Sequence, residues 1–160
     1  MLRVYGNAQE LKVHLPPEKT FTLVGGAFDL IHIGHVNLLR FASTLQGLLV
    51  VCVLSDKAIR DYKEQNRPIL DEQQRAEMVA SIRYVDFVYI SDSSPSSVNT
   101  LTLLQPHSVV FGDDPDNISN VQRWSERIQI HSPNTKISLL PRYLGDEIST
   151  SRIIDRIKGG

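Results

Sequence analysis

Apolar residues in this chain arrive in short runs, separated by stretches with a helical period. Phe21-Thr22-Leu23-Val24 is one such run; it ends at Gly25-Gly26 and predicts a short buried strand. From Gly34 the apolar positions fall at Val36, Leu38, Leu39, Phe41, Ala42 and Leu45, the spacing of one helix face, with Gly47 as a stop. Leu48–Leu54 is apolar throughout and rich in β-branched residues, the pattern of a strand covered on both faces and hence of a parallel sheet. Lys57 to Arg67 is polar and charged and predicts an exposed or mobile segment, with Pro68 ending any helix there. Asp71 fits the N-cap of a helix running to about Ile82. Asp86–Ile90 predicts the next strand, Ser91–Ser97 a serine-rich loop and Val98–Leu104 a short helix. Ser108–Phe111 reads as a strand ending in Gly112-Asp113-Asp114-Pro115, Ile118–Ile128 as helix and Lys136–Leu140 as strand. Pro141–Glu147 is a loop, and Ser149–Lys158 the final helix.

Strands alternating with helices in this way predict an α/β chain with a Rossmann-like, doubly wound, mostly parallel sheet of five strands in a single domain over residues 21–158. Residues 1–20, with Pro16-Pro17, form an N-terminal extension to which the pattern assigns no element. Such sheets bind ligands beyond the carboxyl ends of their strands, where the strand order reverses. The unusual residues of the chain gather at those ends: Gly25–His35, Ser55–Lys63 and Gly112–Asp114.

The chain has 160 residues, enough for one ordinary domain with a real core. A net charge of −1 gives no global field for nucleic acid or an anionic membrane, so an anionic ligand has to be held by local positive groups. Cys52 is the only cysteine and sits in an apolar run, which excludes an internal disulfide and reads as a small core residue. No basic segment followed by an apolar stretch opens the chain, and no apolar run approaches a membrane span. The expectation is a soluble, cytoplasmic protein with no nucleic-acid or membrane partner.

The candidate chemistry is in His32-Ile33-Gly34-His35, between the first strand and the first helix. A helix starting near Gly34 offers first-turn N–H groups that attract anions, and the glycines before it allow close approach of backbone to a ligand. Gly34 leaves room for a phosphate against the turn, and the three-residue spacing can bring both imidazoles to one side of it. Each ring can then donate to a phosphate oxygen, as phosphoryl or nucleotidyl transfer requires. Zinc held by the two histidines and Asp29, or a purely structural histidine pair, are the competing readings. No G-x-x-x-x-G-K-[ST] is present, which excludes a P-loop, and the missing G-x-G-x-x-G weakens a dehydrogenase reading.

The stretch GGAFDLIHIGHVNLL resembles the signature of the cytidylyltransferase-like branch of the nucleotidyltransferases, G-[TC]-F-D-x-x-H-x-G-H. HIGH is also a signature of class I aminoacyl-tRNA synthetases, against which the length of the chain argues. Further along, LSDKAIRDYKEQNRPILDEQQR resembles heptose-phosphate adenylyltransferases, while IRYVDFVY resembles glycerol-3-phosphate and ethanolamine-phosphate cytidylyltransferases. VFGDDP resembles the G-D-D loop of the family, and PRYLGDEISTSRI its R-T-x-G-I-S-T-[ST] signature with two residues added.

The resemblance implies an enzyme that transfers a nucleoside monophosphate from a triphosphate to a small phosphorylated polyol, amino alcohol or sugar, with Mg²⁺ and release of pyrophosphate. It implies that His32 and His35 contact the triphosphate and stabilise the transition state, and that backbone at Gly25, Gly26, Ala27 and Phe28 lines the nucleotide pocket. Ala27 stands where the family often has Thr or Cys. Lys63 would reach phosphates, unless it is a solvated lysine; Lys57 and Arg60 are weaker candidates of the same kind. Arg83 would contact the nucleotide, or else complement a helix end. Gly112, Asp113 and Asp114 would meet the base or hold Mg²⁺ through water, or simply form a turn. Arg142 would lie near base or acceptor, and Ser149, Thr150 and Ser151 would hold phosphates or cap the last helix. Asp29 is expected to hold the turn, and Trp124 to pack. His14, His107 and His131 match no motif. CTP is favoured over ATP through Arg83 and Gly112–Asp114, with an adenylyltransferase of a sugar phosphate as the alternative, and a homodimer is implied. A nucleotide-sensing module and a zinc hydrolase are the rivals from other classes.

Overall fold

The structure is a computed structural model that describes residues 3–62, 66–112, 115–141 and 148–159, the side chains of 115–119 excepted. Its centre is β3 (Leu48–Leu54), whose residues Leu49 to Val53 are at most 1% exposed. Alternate side chains of a strand leave opposite faces, so Val51 and Val53 enter one core and Val50 and Cys52 another. This is why the run shows no apolar–polar alternation.

β2 (Phe21–Gly26) and β4 (Phe87–Ser91) flank β3; β5 (Ser108–Gly112) pairs with β2, and β6 (Lys136–Leu140) with β5. Every pairing is parallel. Among the described residues the sheet has six strands, not the five expected, because Val4–Tyr5 forms β1 beside β4. Two residues carry no readable period, which is why the sequence conceals this strand. The order is β1-β4-β3-β2-β5-β6. After β1, α1 (Ala8–His14) is capped by the Asn7 side chain, which accepts from Glu10 N–H, and buries Leu11 completely.

α2 (Ile33–Ser43) and α4 (Glu72–Ala80) cover one face through Leu39, Ala42, Ala76 and Val79. The other face is covered by α1, α5 (Val98–Leu104) and α6 (Pro115–His131), with Leu11, Leu101, Leu104 and Ile128 inside. α7 (Thr150–Lys158) closes the chain and fully buries none of its residues. The segment expected to be polar and exposed begins with a short helix, α3 (Asp56–Arg60), capped by Ser55 and anchored by the fully buried Ile59. Crossovers from β2 to β3 and β4 run over one face, and those into β5 and β6 over the other. The reversal therefore lies between β2 and β5, opening a crevice at their carboxyl ends. Among the described residues no helix is long and apolar enough to cross a membrane.

Candidate active site

The crevice is a cleft of about 640 Å³, lined among others by Gly25–Asp29, His35, Leu54, Tyr62, Arg67, Ser94–Ser96, Gly112, Trp124 and Thr150. Its floor is the turn that joins β2 to α2. Phe28 and Leu30 adopt left-handed backbone at φ 51° and 52°, a conformation that costs about 1–3 kcal/mol for a residue with a side chain and persists only where surroundings impose it. Between them, the Asp29 carboxylate is 1% exposed and accepts from Arg67 Nε (2.9 Å), Ile69 N–H (2.9 Å) and Leu70 N–H (3.1 Å). Burial alone would raise its pKa. The two backbone N–H groups and the Arg67 guanidinium outweigh that and hold the carboxyl below its ordinary value. The Asp29 carbonyl accepts from Thr150 Oγ1 at 2.6 Å, which ties the start of α7 to the same turn. Asp29 thus holds the turn, as expected from the sequence.

Arg75 does the same from beneath. It is fully buried on α4 and donates through Nε to Leu70 O (2.9 Å), through one terminal nitrogen to Ala27 O, and through the other to Asp56 Oδ1 (2.8 Å). A fixed planar fork of donors is what lets one side chain join three segments. Arg75 was not singled out as a site residue, because a lone arginine in a charged helix reads as solvated.

The two histidines cap α2. Gly34 N–H donates to His32 Nδ1 at 3.1 Å, and His32 N–H donates to His35 Nδ1 at 3.3 Å. Serine or aspartate usually fills such a box; here two imidazoles do. Both Nδ1 atoms act as acceptors, so each neutral ring carries its proton on Nε2. The rings lie 3.9 Å apart between centroids at 34°, and the buried Phe28 ring stands 5.4 Å from His35. The spacing therefore brings both imidazoles together, as expected. The space beside Gly34 is used differently from expectation. A Cβ there would lie 2.9 Å from His32 Cε1 and 3.0 Å from Nδ1, so the position admits the His32 ring rather than a phosphate. At Gly25 a Cβ would meet Pro95 Cγ at 2.3 Å, so the Pro95 ring, not a ligand, lies against that glycine.

Gly25, Gly26, Ala27, Phe28, His35, Gly112 and Thr150 line the cleft, and His32 stands against His35. Ser149 caps α7, its hydroxyl accepting from Arg152 N–H, and Ser151 is exposed on the first turn. Arg83 is not brought to the cleft. It is exposed between α4 and β4, at the amino end of the strand, with its guanidinium 5.1 Å from the Tyr84 ring centroid. Lys57 pairs with Asp92 (3.6 Å) and Arg60 with Asp56 (3.7 Å), both cations more than half exposed, which makes these weak surface pairs. Lys63, Asp113, Asp114 and Arg142 lie outside the described residues. Two parts of the wall were missed: Ser94–Ser96, although the loop after β4 leaves the same end of the sheet, and Trp124, which stacks on Phe111. Among the described residues no three His, Cys, Asp or Glu side chains converge as a metal site, and the Asp29 carboxylate is already engaged.

A family model described as cytidylyltransferase-like matches residues 23–156. FAD synthase of Thermococcus kodakarensis is 36% identical over 141 residues, covering 88% of this chain and 93% of that protein. FAD synthase of Pyrococcus horikoshii is also 36% identical over 141 residues, with 87% and 93% covered. The bifunctional protein HldE of Campylobacter fetus is 32% identical over 141 residues, 88% of this chain but 28% of that longer protein. Among solved structures, the lipopolysaccharide core biosynthesis protein of Thermoplasma volcanium superposes with a TM-score of 0.65 at 24% identity, covering 78% of this chain and 98% of that one. Pantoate-beta-alanine ligase of Francisella tularensis does so at 0.67 with 15% identity, covering 99% and 77%. These two likenesses show the fold.

Proposed function

The chain belongs to the cytidylyltransferase-like family and is a nucleotidyltransferase, and from that premise we propose that it transfers AMP from ATP to a small phosphorylated acceptor. The observation that carries the reading is the imidazole pair beside the cleft, with both Nδ1 atoms accepting from backbone N–H groups so that each neutral ring carries its proton on Nε2. An acceptor phosphate oxygen attacks the α-phosphorus of ATP, the bond from that phosphorus to the bridging oxygen breaks, and pyrophosphate leaves. A phosphate monoester is largely dianionic at neutral pH, so no side chain needs to remove a proton. What the reaction demands is orientation and donors aimed at charge that grows on the α-phosphate and the leaving group. His32 and His35 supply the donors; Asp29 and Arg75 fix the turn that carries them.

Mg²⁺, when bound, would neutralise part of the triphosphate charge. The described residues offer no cage for it, which suits an ion that arrives on the nucleotide, and no step here depends on it.

Adenine is preferred to cytosine on two grounds. The relatives with near full-length coverage are named FAD synthase, and the segment LSDKAIRDYKEQNRPILDEQQR resembles heptose-phosphate adenylyltransferases. Of the residues that favoured CTP, Gly112 lines the cleft but Arg83 stands away from it, and Asp113 and Asp114 lie outside the described residues. The relatives' substrates make flavin mononucleotide and a heptose phosphate the acceptor classes to try. The test is pyrophosphate release with ATP, CTP, GTP and UTP crossed with phosphorylated acceptors. ATP-dependent release that falls by a factor of about 100 or more in His35→Ala, with folding intact, supports the reading. Preference for CTP, or near-normal turnover in His35→Ala, overturns it.

A further inference from the structure

The N-terminal extension builds a second pocket, apart from the cleft. The family match begins at residue 23, so β1 and α1 stand outside it. They bring Gly6–Gln9 to the carboxyl ends of β3 and β4, and together with α5 these enclose a cavity of about 330 Å³. Ser91, Asp92 and Ser93 line this cavity, while Ser94–Ser96 of the same loop line the main cleft. A single loop therefore separates two spaces.

The chemistry of the two spaces differs. No Lys, Arg or His lines the second pocket, whereas Glu72 and Asp92 both do, so it repels a triphosphate or any phosphorylated compound. One oxygen of each carboxylate is engaged: Glu72 Oε2 accepts from Asp56 N–H at 2.7 Å, and Asp92 Oδ1 accepts from Ser55 Oγ. Glu72 Oε1 remains as an acceptor, Asn7 keeps its Nδ2 donors after Oδ1 caps α1, and the exposed Asn99 amide offers both kinds of group. Ile90 and Leu103 add an apolar side. Behind this wall the buried Tyr89 hydroxyl lies beside Cys52 and Thr100 and finds neither in bonding geometry. Buried polar groups without a partner are rare in native proteins, and Thr100 is the residue that joins this one to the pocket. A hydroxyl donates to a carboxylate oxygen and accepts from an amide, and does both without carrying charge. We propose that the pocket is a binding site for an uncharged, hydroxyl-rich small molecule, held by Glu72, Asn99 and Asn7, with its carbon skeleton on Ile90 and Leu103 and one hydroxyl entering beside Thr100. The site neither needs nor narrows the adenylyl-transfer reading.

The probes are glycerol, ribitol, sorbitol and glucose, titrated into the full chain and read by saturation-transfer NMR, first without ATP and then with ATP in excess. The expected result is saturable binding of at least one probe, unchanged by ATP. Asn99→Leu should weaken that binding by about 2- to 13-fold, the worth of one hydrogen bond. Absence of saturable binding by every probe overturns the inference, and so does unchanged affinity in Asn99→Leu. Displacement by ATP also overturns it, since the probe would then sit in the main cleft. Two charged compounds check the class. Stronger binding of sorbitol 6-phosphate than of sorbitol, or of ethanolamine than of glycerol, overturns it, because the site would then select an ion.

If Asn99→Leu does not fold, the amide resonances of isotope-labelled wild type decide the matter. Probe-dependent shifts gathered on Gly6–Gln9 and Ser91–Ser93 sustain the site; shifts confined to Gly25–His35 refute it. Should no acceptor give pyrophosphate, the adenylyl-transfer reading falls by itself, because none of these measurements uses turnover.

Discussion

Replacing Gly34 with alanine should separate activity from stability. The added Cβ would sit 2.9 Å from His32 Cε1 and 3.0 Å from Nδ1, closer than carbon tolerates, while Ile148 Cγ2 at 3.8 Å is in ordinary contact. The His32 ring must swing aside, and doing so breaks its acceptance of the Gly34 N–H and draws it from His35, 3.9 Å away. Loss of a capping bond costs about 0.5–2 kcal/mol. Alanine in place of glycine within a helix returns about 0.5–1 kcal/mol. The two nearly cancel, and for a chain of this size 1 kcal/mol moves Tm by only about 2–4 °C. A melt should therefore stay within roughly 6 °C of wild type. Activity has no such compensation. A displaced donor at the site of charge development costs a factor of about 100–1,000 in turnover, read as kcat for pyrophosphate release. Full activity in Gly34→Ala would refute the idea that ring placement carries the chemistry. A fall of Tm well beyond that range would show that the glycine serves the fold instead.

Asp29→Ala should destabilise by about 3–5 kcal/mol in urea titration, because it strands the largely buried Arg67 side chain and two backbone N–H groups. The sign with pH follows from the lowered pKa. The stabilisation is complete above the ordinary carboxylate range, near pH 4, and is lost as pH falls through the lower folded value. The acid limb of a stability-against-pH curve should flatten in the variant, and an unchanged limb would contradict this. Arg75→Met should cost a similar amount and lower kcat, since Ala27 O, Leu70 O and Asp56 Oδ1 all lose the bond from Arg75; wild-type kcat would show that the turn does not need its support. The Cys52 thiol is fully buried and burial pushes its pKa up to about 12, so a thiol reagent at pH 8 should label it only after denaturant is added.

β3 was legible because a strand covered on both faces must be apolar throughout, and α2 because one face of it meets Val24 and Val51. β1 was not, since its two residues leave no room for a pattern and their register is set by Val88 and Tyr89 of a strand more than eighty positions away. At the site, the histidine pair was legible from spacing, because three positions apart on an opening helix turn fixes their proximity. Trp124 and Arg75 were hidden for the opposite reason. What they do depends on partners at Phe111, Ala27 and Asp56, and nothing in their local sequence names those partners. Arg83 misled because a motif places a residue along the chain, whereas only the topology says at which end of the sheet it emerges.

Asp29 gathers contacts from positions 38, 40, 41 and 121 residues further along the chain. Such closures come late, since each long loop has to be drawn in before its contact rewards it. A nascent polypeptide that has made only its first three helices cannot possess a finished floor to the cleft. Recovery of catalysis after dilution from denaturant should accordingly trail the return of helical signal, so that turnover reports on completion of the whole chain.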